Sequence, residues 1–187
     1  MKFIIIICAT IFLTLSNSIV AQSFVPNPPN GWTGVNDIPN GVYFSMPSTP
    51  VSFDSLDTKI YDYSPDTLVA MQTHIFKNSQ FTTTEQMFNS ALAQNNGDTL
   101  RAIAAITVSV TNSQLTSIQN ITSSNGRPGV EFSIRYSTFQ SSEPSHTFLR
   151  YFLKNNKFVS FSVTGVESDI TRVTSLKNIF FGSIQIY

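Results

Sequence analysis

The chain has 187 residues, with eleven basic and eleven acidic side chains and two histidines, so its formal net charge at pH 7 is zero. No stretch has the clustered lysines and arginines that a nucleic-acid interface needs to displace counterions. Charged residues make up only 12% of the chain, and we therefore expect a partner to be recognised by shape and apolar contact more than by a long-range field.

The N-terminus has the pattern of a secretory signal peptide. Lys2 is followed by an apolar run from Phe3 to Leu15, and Ala21 predicts cleavage before Gln22. The run is too short to span a membrane, so no transmembrane segment is expected in the mature chain. The only cysteine, Cys8, lies inside the run, and the mature chain is therefore predicted to fold without a disulfide. We expect it to be periplasmic or extracellular.

The rest of the chain predicts a leader and one domain. Residues 22–40 hold four prolines and Trp32, which favours a leader with neither strand nor helix. Residues 41–187 have the length of a single domain with one core. Trp32 is a candidate binding residue, and the alternative is that it packs on the fold.

Three strands are predicted first. Apolar alternation predicts a strand at residues 42–46, which ends before the prolines that follow it. Two more strands are predicted at about residues 58–63 and 68–76. The simplest arrangement of the three is a tight antiparallel meander.

Two helices are predicted next. A threonine run followed by Glu85 predicts a capped helix at about residues 83–94. Asp98 is predicted to cap a second helix with an apolar face. The β-branched residues of Thr99–Asn112 also fit a strand, so the sequence leaves both possibilities open and favours the helix.

The C-terminal half returns to strands. They are predicted at about residues 115–122, 130–137, 147–153 and 158–163, with turns at residues 125–129 and at Asn155-Asn156. Ser168 and Asp169 are predicted to begin a last helix that Gly182 ends, and a short closing strand follows. The order of elements predicts an α+β fold with a central antiparallel sheet of six to seven strands.

Five segments together resemble the PsbP-like superfamily, a group that includes small exported bacterial proteins. These segments are Tyr43-Phe-Ser-Met-Pro-x-x-Pro50, Arg127-Pro-Gly-Val-Glu-Phe132, Phe148-Leu-Arg-Tyr-Phe-Leu153, Lys157-Phe-Val-Ser-Phe-Ser162 and Asn178-Ile-Phe-Phe-Gly-Ser183. The resemblance implies an α/β/α sandwich about an antiparallel sheet. It also implies a non-enzymatic role as a docking subunit, assembly factor or chaperone-like adaptor, and it transfers no functional residue.

No set of residues in the chain specifies a reaction. A Gly-x-Ser-x-Gly elbow is absent, and the imidazole bases are limited to His74, expected on a strand, and His146, expected in a loop near Glu143. Zinc ligand spacing is also absent. The spacing and glycine of a calcium loop are missing from the acids Asp54, Asp57, Asp62 and Asp66. We therefore predict no catalytic residue, no metal and no cofactor.

Arg135 and Arg150 are the remaining candidate binding residues. Both lie among aromatic residues on adjacent predicted strands, and Glu131 shares a face with Arg135. They would anchor an anionic partner. The alternative is a cross-strand ion pair on a partly covered sheet.

These observations predict an exported, non-enzymatic binding, docking or assembly module. The expected partner is a protein or a hydrophobic ligand outside the cytoplasm, and nucleic acid is not expected. One alternative is a carrier or chaperone with an apolar pocket for a lipid or hydrophobic peptide, which the sixteen phenylalanines suggest. A carboxylate-dependent hydrolase is a further alternative. The sequence leaves the partner's identity and the oligomeric state open.

Overall fold

The structure, a computed structural model of the chain, describes residues 27–55, 57–66, 68–76, 84–137, 143–154 and 157–187. The predicted signal peptide and the Asn155-Asn156 turn lie outside the described residues. The strands are β1 (Thr33–Asp37), β2 (Val42–Met46), β3 (Val51–Ser55), β4 (Thr58–Tyr63), β5 (Val69–Phe76), β6 (Gln114–Thr122), β7 (Pro128–Tyr136), β8 (Ser145–Lys154), β9 (Lys157–Val166) and β10 (Gln185–Ile186). The helices are α1 (Glu85–Gln94), α2 (Thr99–Val110) and α3 (Ile170–Ser183).

Seven antiparallel strands form the main sheet, in the order β3-β4-β5-β9-β8-β7-β6. Strands β4 to β9 match the six strands predicted at these positions to within three residues. The chain builds one half of the sheet, crosses through α1 and α2 to the far edge, and returns strand by strand. The sheet is then completed by pairing β9 with β5 over eight residues of each strand.

Two expectations about the start of the domain are wrong. Strand β2 does not join the meander, because it pairs with β1 and β10 in a separate three-stranded sheet. The meander begins instead with β3, which the apolar pattern did not reveal because every residue of β3 is exposed. The segment predicted as a leader contains β1 and a 3-10 turn, Ile38–Asn40. Pro39 lies in that turn, where its fixed φ and missing N–H are tolerated, so it does not interrupt a strand.

Helices α1 and α2 begin at side-chain caps, whereas the N-cap residue of α3, Asp169, makes no such hydrogen bond. Thr84 Oγ1 accepts a hydrogen bond from the Met87 amide, and Asp98 Oδ1 accepts one from the Arg101 amide. Residues 99–110 form α2, which resolves the helix-or-strand ambiguity in favour of the helix. The last helix passes through Gly182 and ends one residue later than predicted.

Two apolar layers lie on opposite faces of the main sheet. On one face, α3 and the small sheet cover the strands, and Phe44 makes edge-to-face contacts with Tyr61, Phe161 and Phe180 at centroid distances of 5.3 to 6.0 Å. On the other face, α2 packs on β7 and β8, with Ile103 in the same buried cluster as further aromatic residues. The predicted α+β class and α/β/α sandwich are confirmed.

Candidate functional site

Arg150 is held between the sheet and the C-terminal end of α3. It lies opposite Glu131 in the β7–β8 ladder, and its Nε donates to Glu131 Oε2 at 2.6 Å. Its Nη1 donates to the Phe181 carbonyl at 2.7 Å, and its guanidinium lies 4.7 Å from the Phe181 ring centroid. Lys177 Nζ lies 3.6 Å from Glu131 Oε1. The cross-strand ion pair considered in the sequence is therefore present, and it also joins a strand to a helix.

Arg135 lies near the other end of β7, four residues from Glu131 and so about 13 Å along the strand. Its Nη2 donates to Glu167 Oε2 at 2.8 Å, and this hydrogen bond is the main reason that the pKa of Glu167 is lowered. His146 Nε2 lies 3.7 Å from Glu167 Oε1. His146 is part of β8 and not of a loop, contrary to expectation. The structure thus holds Arg135 and Arg150 in separate ion pairs.

Trp32 is partly buried against the core layer beneath α3, which agrees with the packing alternative. The chain after it is fastened by Asp37, which is buried and accepts hydrogen bonds from Tyr61 Oη at 2.8 Å and Asn40 Nδ2 at 2.9 Å. Burial, together with the bond to Asp37, raises the pKa of Tyr61. Trp32 therefore belongs to a packed region that joins the small sheet to the main sheet.

His74 lies on the opposite face of the sheet, between Ile60 of β4 and Ser160 of β9 in the ladder. Its Nε2 is buried and has no hydrogen-bond partner among the described residues, and burial lowers its pKa. Asp62 shares this face but accepts a hydrogen bond from Gln72 at 2.8 Å. Ser160, His74 and Asp62 are therefore near one another on one face, but no hydrogen bond among the described residues links them into a relay.

Reactive groups are dispersed in the part of the chain that the structure describes. His74 and His146 face opposite sides of the main sheet. The neighbour of His74 on β5, Ile75, packs beneath α3, so His74 faces away from α3, whereas His146 is paired with Arg135 on the α3 side. Within the same residues, no group of three His, Cys, Asp or Glu side chains is placed to hold a metal ion. None of the helices described is both long and apolar enough to cross a membrane.

The β3 edge of the main sheet exposes apolar side chains. Val51 is 67% exposed and Phe53 is 47% exposed. Phe53 lies opposite Ile60 of β4, and Val51 lies opposite Asp62. Because alternate residues of a strand share a face, Val51, Phe53 and Ile60 form one surface, which we call the β3–β4 patch. The apolar pattern of the sequence did not reveal this patch, because β3 has only two large apolar residues, Val51 and Phe53, and follows a proline-rich break.

A groove of about 360 Å³ lies between residues 27–29, β2, α3 and β10. Its lining combines Tyr43 and Ile179 with asparagine, glutamine, glycine and serine residues. The groove therefore offers a bound molecule both apolar and polar contacts.

The sequence matches no protein-family model and no curated protein at a significant level. The fold is similar to the solution structure of cyanobacterial PsbP (CyanoP) from Synechocystis sp. PCC 6803, with a TM-score of 0.57 over 90% of this chain and 99% of that chain, at 12% identity. A protein of unknown function from Pseudomonas aeruginosa aligns with a TM-score of 0.43 over 79% of this chain and 91% of that chain, at 8% identity.

LpqN of Mycobacterium tuberculosis, which is involved in cell envelope biogenesis, aligns with a TM-score of 0.41 over 86% of this chain and 80% of its own, at 8% identity. At such identities a likeness concerns the fold alone. The likeness in fold rests on the comparison with cyanobacterial PsbP, because that alignment extends over nearly the whole of both chains. The chain therefore has a fold similar to that of cyanobacterial PsbP.

Proposed function

We propose that this protein is an exported, non-enzymatic docking module that binds a protein partner through the β3–β4 patch. The observation that carries the proposal is the exposure of Val51 and Phe53 side by side on an edge strand. Burying apolar surface contributes roughly 25 cal/mol per Å², so a partner that covers both side chains gains a favourable contribution at this site. Exposed apolar patches with a polar border are typical of interaction sites.

The position of the patch also indicates the mode of binding. β3 is the last strand at its end of the main sheet, and the outer side of an edge strand presents backbone N–H and C=O groups. An extended segment of a partner can add there as a further strand, with an apolar side chain packed on Phe53. Lys59 Nζ lies 3.8 Å from Asp54 Oδ2 on the other face of these strands, and Asp62, opposite Val51, is the one charged residue of β3 and β4 on the face of the patch. The matching partner is an extended, apolar and weakly charged peptide segment.

The non-enzymatic part of the proposal is supported by the dispersal of reactive side chains. The two histidines face opposite sides of the sheet, and both arginine candidates are engaged in ion pairs. A docking role is also what the resemblance of five sequence segments to PsbP-like proteins implies. Export to the periplasm or beyond is supported by the predicted signal peptide.

The proposal is tested with a photo-crosslinking residue in place of Phe53 in cells that export the protein. We expect it to capture a specific partner, and titration calorimetry with that purified partner then measures affinity. The double variant Val51→Ser, Phe53→Ser should weaken binding by at least about tenfold, because the apolar contact is lost. The matched control is Ile179→Ser, which changes an exposed apolar residue outside the patch, on α3. This variant should bind the partner as tightly as the unaltered chain does.

Binding that is equally strong in the double variant would contradict the assignment of the patch. Turnover of a substrate by the purified protein, with loss of that activity in His74→Gln or Asp62→Asn, would contradict the non-enzymatic role. Circular dichroism spectra and melting temperatures of all variants show whether each one is folded.

A further inference from the structure

The opposite edge of the main sheet is formed by β6, and this edge is unusually open. Strand β6 is nine residues long, and seven of the nine are exposed. It pairs with β7 on one side and ends the strand order of the described sheet on the other. A row of backbone N–H and C=O groups is therefore presented outward along its length.

Natural proteins usually protect such an edge with charges, prolines, a bulge or a short strand. The sequence of β6, QLTSIQNIT, contains no charged residue and no proline. Its register shifts between Leu115 and Ser117, which leaves the ladder regular from Ser117 to Thr122.

The charge that reaches β6 from a neighbouring element is also balanced. Arg101 of α2 donates from Nε to Asn120 Oδ1 at 2.8 Å, and the same nitrogen lies 3.9 Å from Asp98 Oδ2. A second β6 strand approaching this edge would therefore meet no charge on the strand itself and no uncompensated charge from α2.

From these observations we propose that two copies of this chain associate through antiparallel pairing of β6 with β6, which makes one continuous sheet across a two-fold dimer. An uncharged strand is complementary to itself, because antiparallel pairing places no like charges opposite each other. With the two-fold axis at Gln119, the pairs are Gln119 with Gln119, Ile118 with Asn120 and Ser117 with Ile121. The two side chains of each pair project from the same face of the sheet. The two Gln119 side-chain amides can each donate a hydrogen bond to the other and accept one from it.

This inference does not depend on the proposed docking function. The β3–β4 patch lies at the other end of the strand order, so both copies in the dimer keep it accessible. Loss of partner binding in the patch variant and loss of dimerisation in a β6 variant are therefore separate results.

The first experiment measures the mass of the protein in solution by sedimentation equilibrium. The unaltered chain should be a dimer. Gln119→Lys should raise the dissociation constant by at least about tenfold, because it puts two lysines opposite each other at the axis. Gln94→Lys makes the same change at an exposed position in the last turn of α1 and should leave the dimer intact. The melting temperature of the Gln119→Lys variant shows whether the fold is retained. It is compared with that of the unaltered chain at a concentration low enough for both to be monomers.

A second experiment tests the register through a disulfide. Opposed residues in an antiparallel ladder have Cα atoms about 4.5 to 5.5 Å apart, a separation that a disulfide can span. In a Cys8→Ser background, Gln119→Cys should form an intermolecular disulfide on mild oxidation, whereas Gln94→Cys should not. A monomeric unaltered chain, or a dimer that persists in Gln119→Lys and does not form the disulfide, would overturn the proposal.

Discussion

At the scale of single residues, the charged side chains of this protein act mainly as connectors between layers. Arg150 satisfies a carbonyl in the last turn of α3 and balances the charge of Glu131 on the neighbouring strand. A cation near the C-terminal end of a helix also interacts favourably with the helix dipole. The residue that the sequence suggested as an anchor for an anionic partner thus contacts Glu131 and both the carbonyl and the ring of Phe181, which only the folded chain brings together.

Replacing Arg150 by Met should lower the free energy of unfolding by about 2 to 4 kcal/mol, because the partly buried Glu131 and the Phe181 carbonyl lose a donor. The Arg150 and Glu131 side chains are only 24% and 13% exposed. Urea unfolding measures the loss. Arg172→Met, at an arginine whose ion pairs are at the surface, is the control and should cost much less. Equal losses in the two variants would contradict a structural role for Arg150.

His74 should make the fold less stable in mild acid. Burial lowers its pKa from the ordinary value of 6.5, although the charge of Asp62 acts in the opposite direction. Below that ordinary pKa the unfolded chain therefore binds more protons than the folded chain. Stability is fully present above the unfolded pKa and is lost as the pH falls towards the folded value.

The melting temperature of the unaltered chain should accordingly fall more steeply below pH 6.5 than that of His74→Gln. His146→Gln is the control and should keep the contribution of His74. An NMR titration that places the His74 imidazole at or above 6.5 would show that burial does not dominate its pKa.

At the scale of elements, α3 lies close to β9 because Gly165 has no side chain. A Cβ atom at Gly165 would lie 2.2 Å from Val173 Cγ2 and 3.1 Å from the Leu68 carbonyl oxygen. Gly182, in the last turn of the same helix, has open space around the position of a Cβ. The two glycines therefore predict opposite effects of the same substitution.

Gly165→Ala should lower stability by about 1 to 3 kcal/mol, since it forces the helix and strand apart. Gly182→Ala should raise stability by up to about 1 kcal/mol, because alanine is a better helix former. Thermal unfolding of the two variants beside the unaltered chain measures both effects. A neutral Gly165→Ala would mean that α3 packs on β9 less closely than the structure shows.

Local patterns predicted most of these elements. The Asp98 cap and the apolar face of α2 are contained within fifteen residues, and the turn before β7 is specified by Gly126, whose φ of +81° suits glycine. Strand β3 was not predictable in this way. Its side chains are exposed, so it has no buried apolar face, and its pairing with β4 is what makes it a strand.

At the scale of the whole molecule, the two apolar layers share the central strands β8 and β9. Tyr151 and Phe158 belong to the layer beneath α2, whereas Phe152 and Phe161 belong to the layer beneath α3. Because neighbouring residues of one strand serve both layers, we expect neither layer to be stable without the other.

The described domain should therefore unfold in one cooperative transition. Phe132→Ala in one layer and Phe161→Ala in the other should each remove about 3 to 5 kcal/mol, and each should lower the same single transition. Calorimetry should give equal calorimetric and van't Hoff enthalpies. Two separate transitions, each sensitive to only one variant, would show that the layers are independent.

The sequence by itself determined the local elements, the antiparallel sheet and the α+β class, because strand alternation, helix caps and turn residues act over short distances. It did not determine that β2 leaves the meander for a second sheet, that part of the predicted leader becomes β1, or that Arg150 reaches the end of α3. These features depend on contacts between distant segments, such as the pairing of β10 with β2. Only the tertiary structure decided them, and with them which edges of the sheet remain open to a partner.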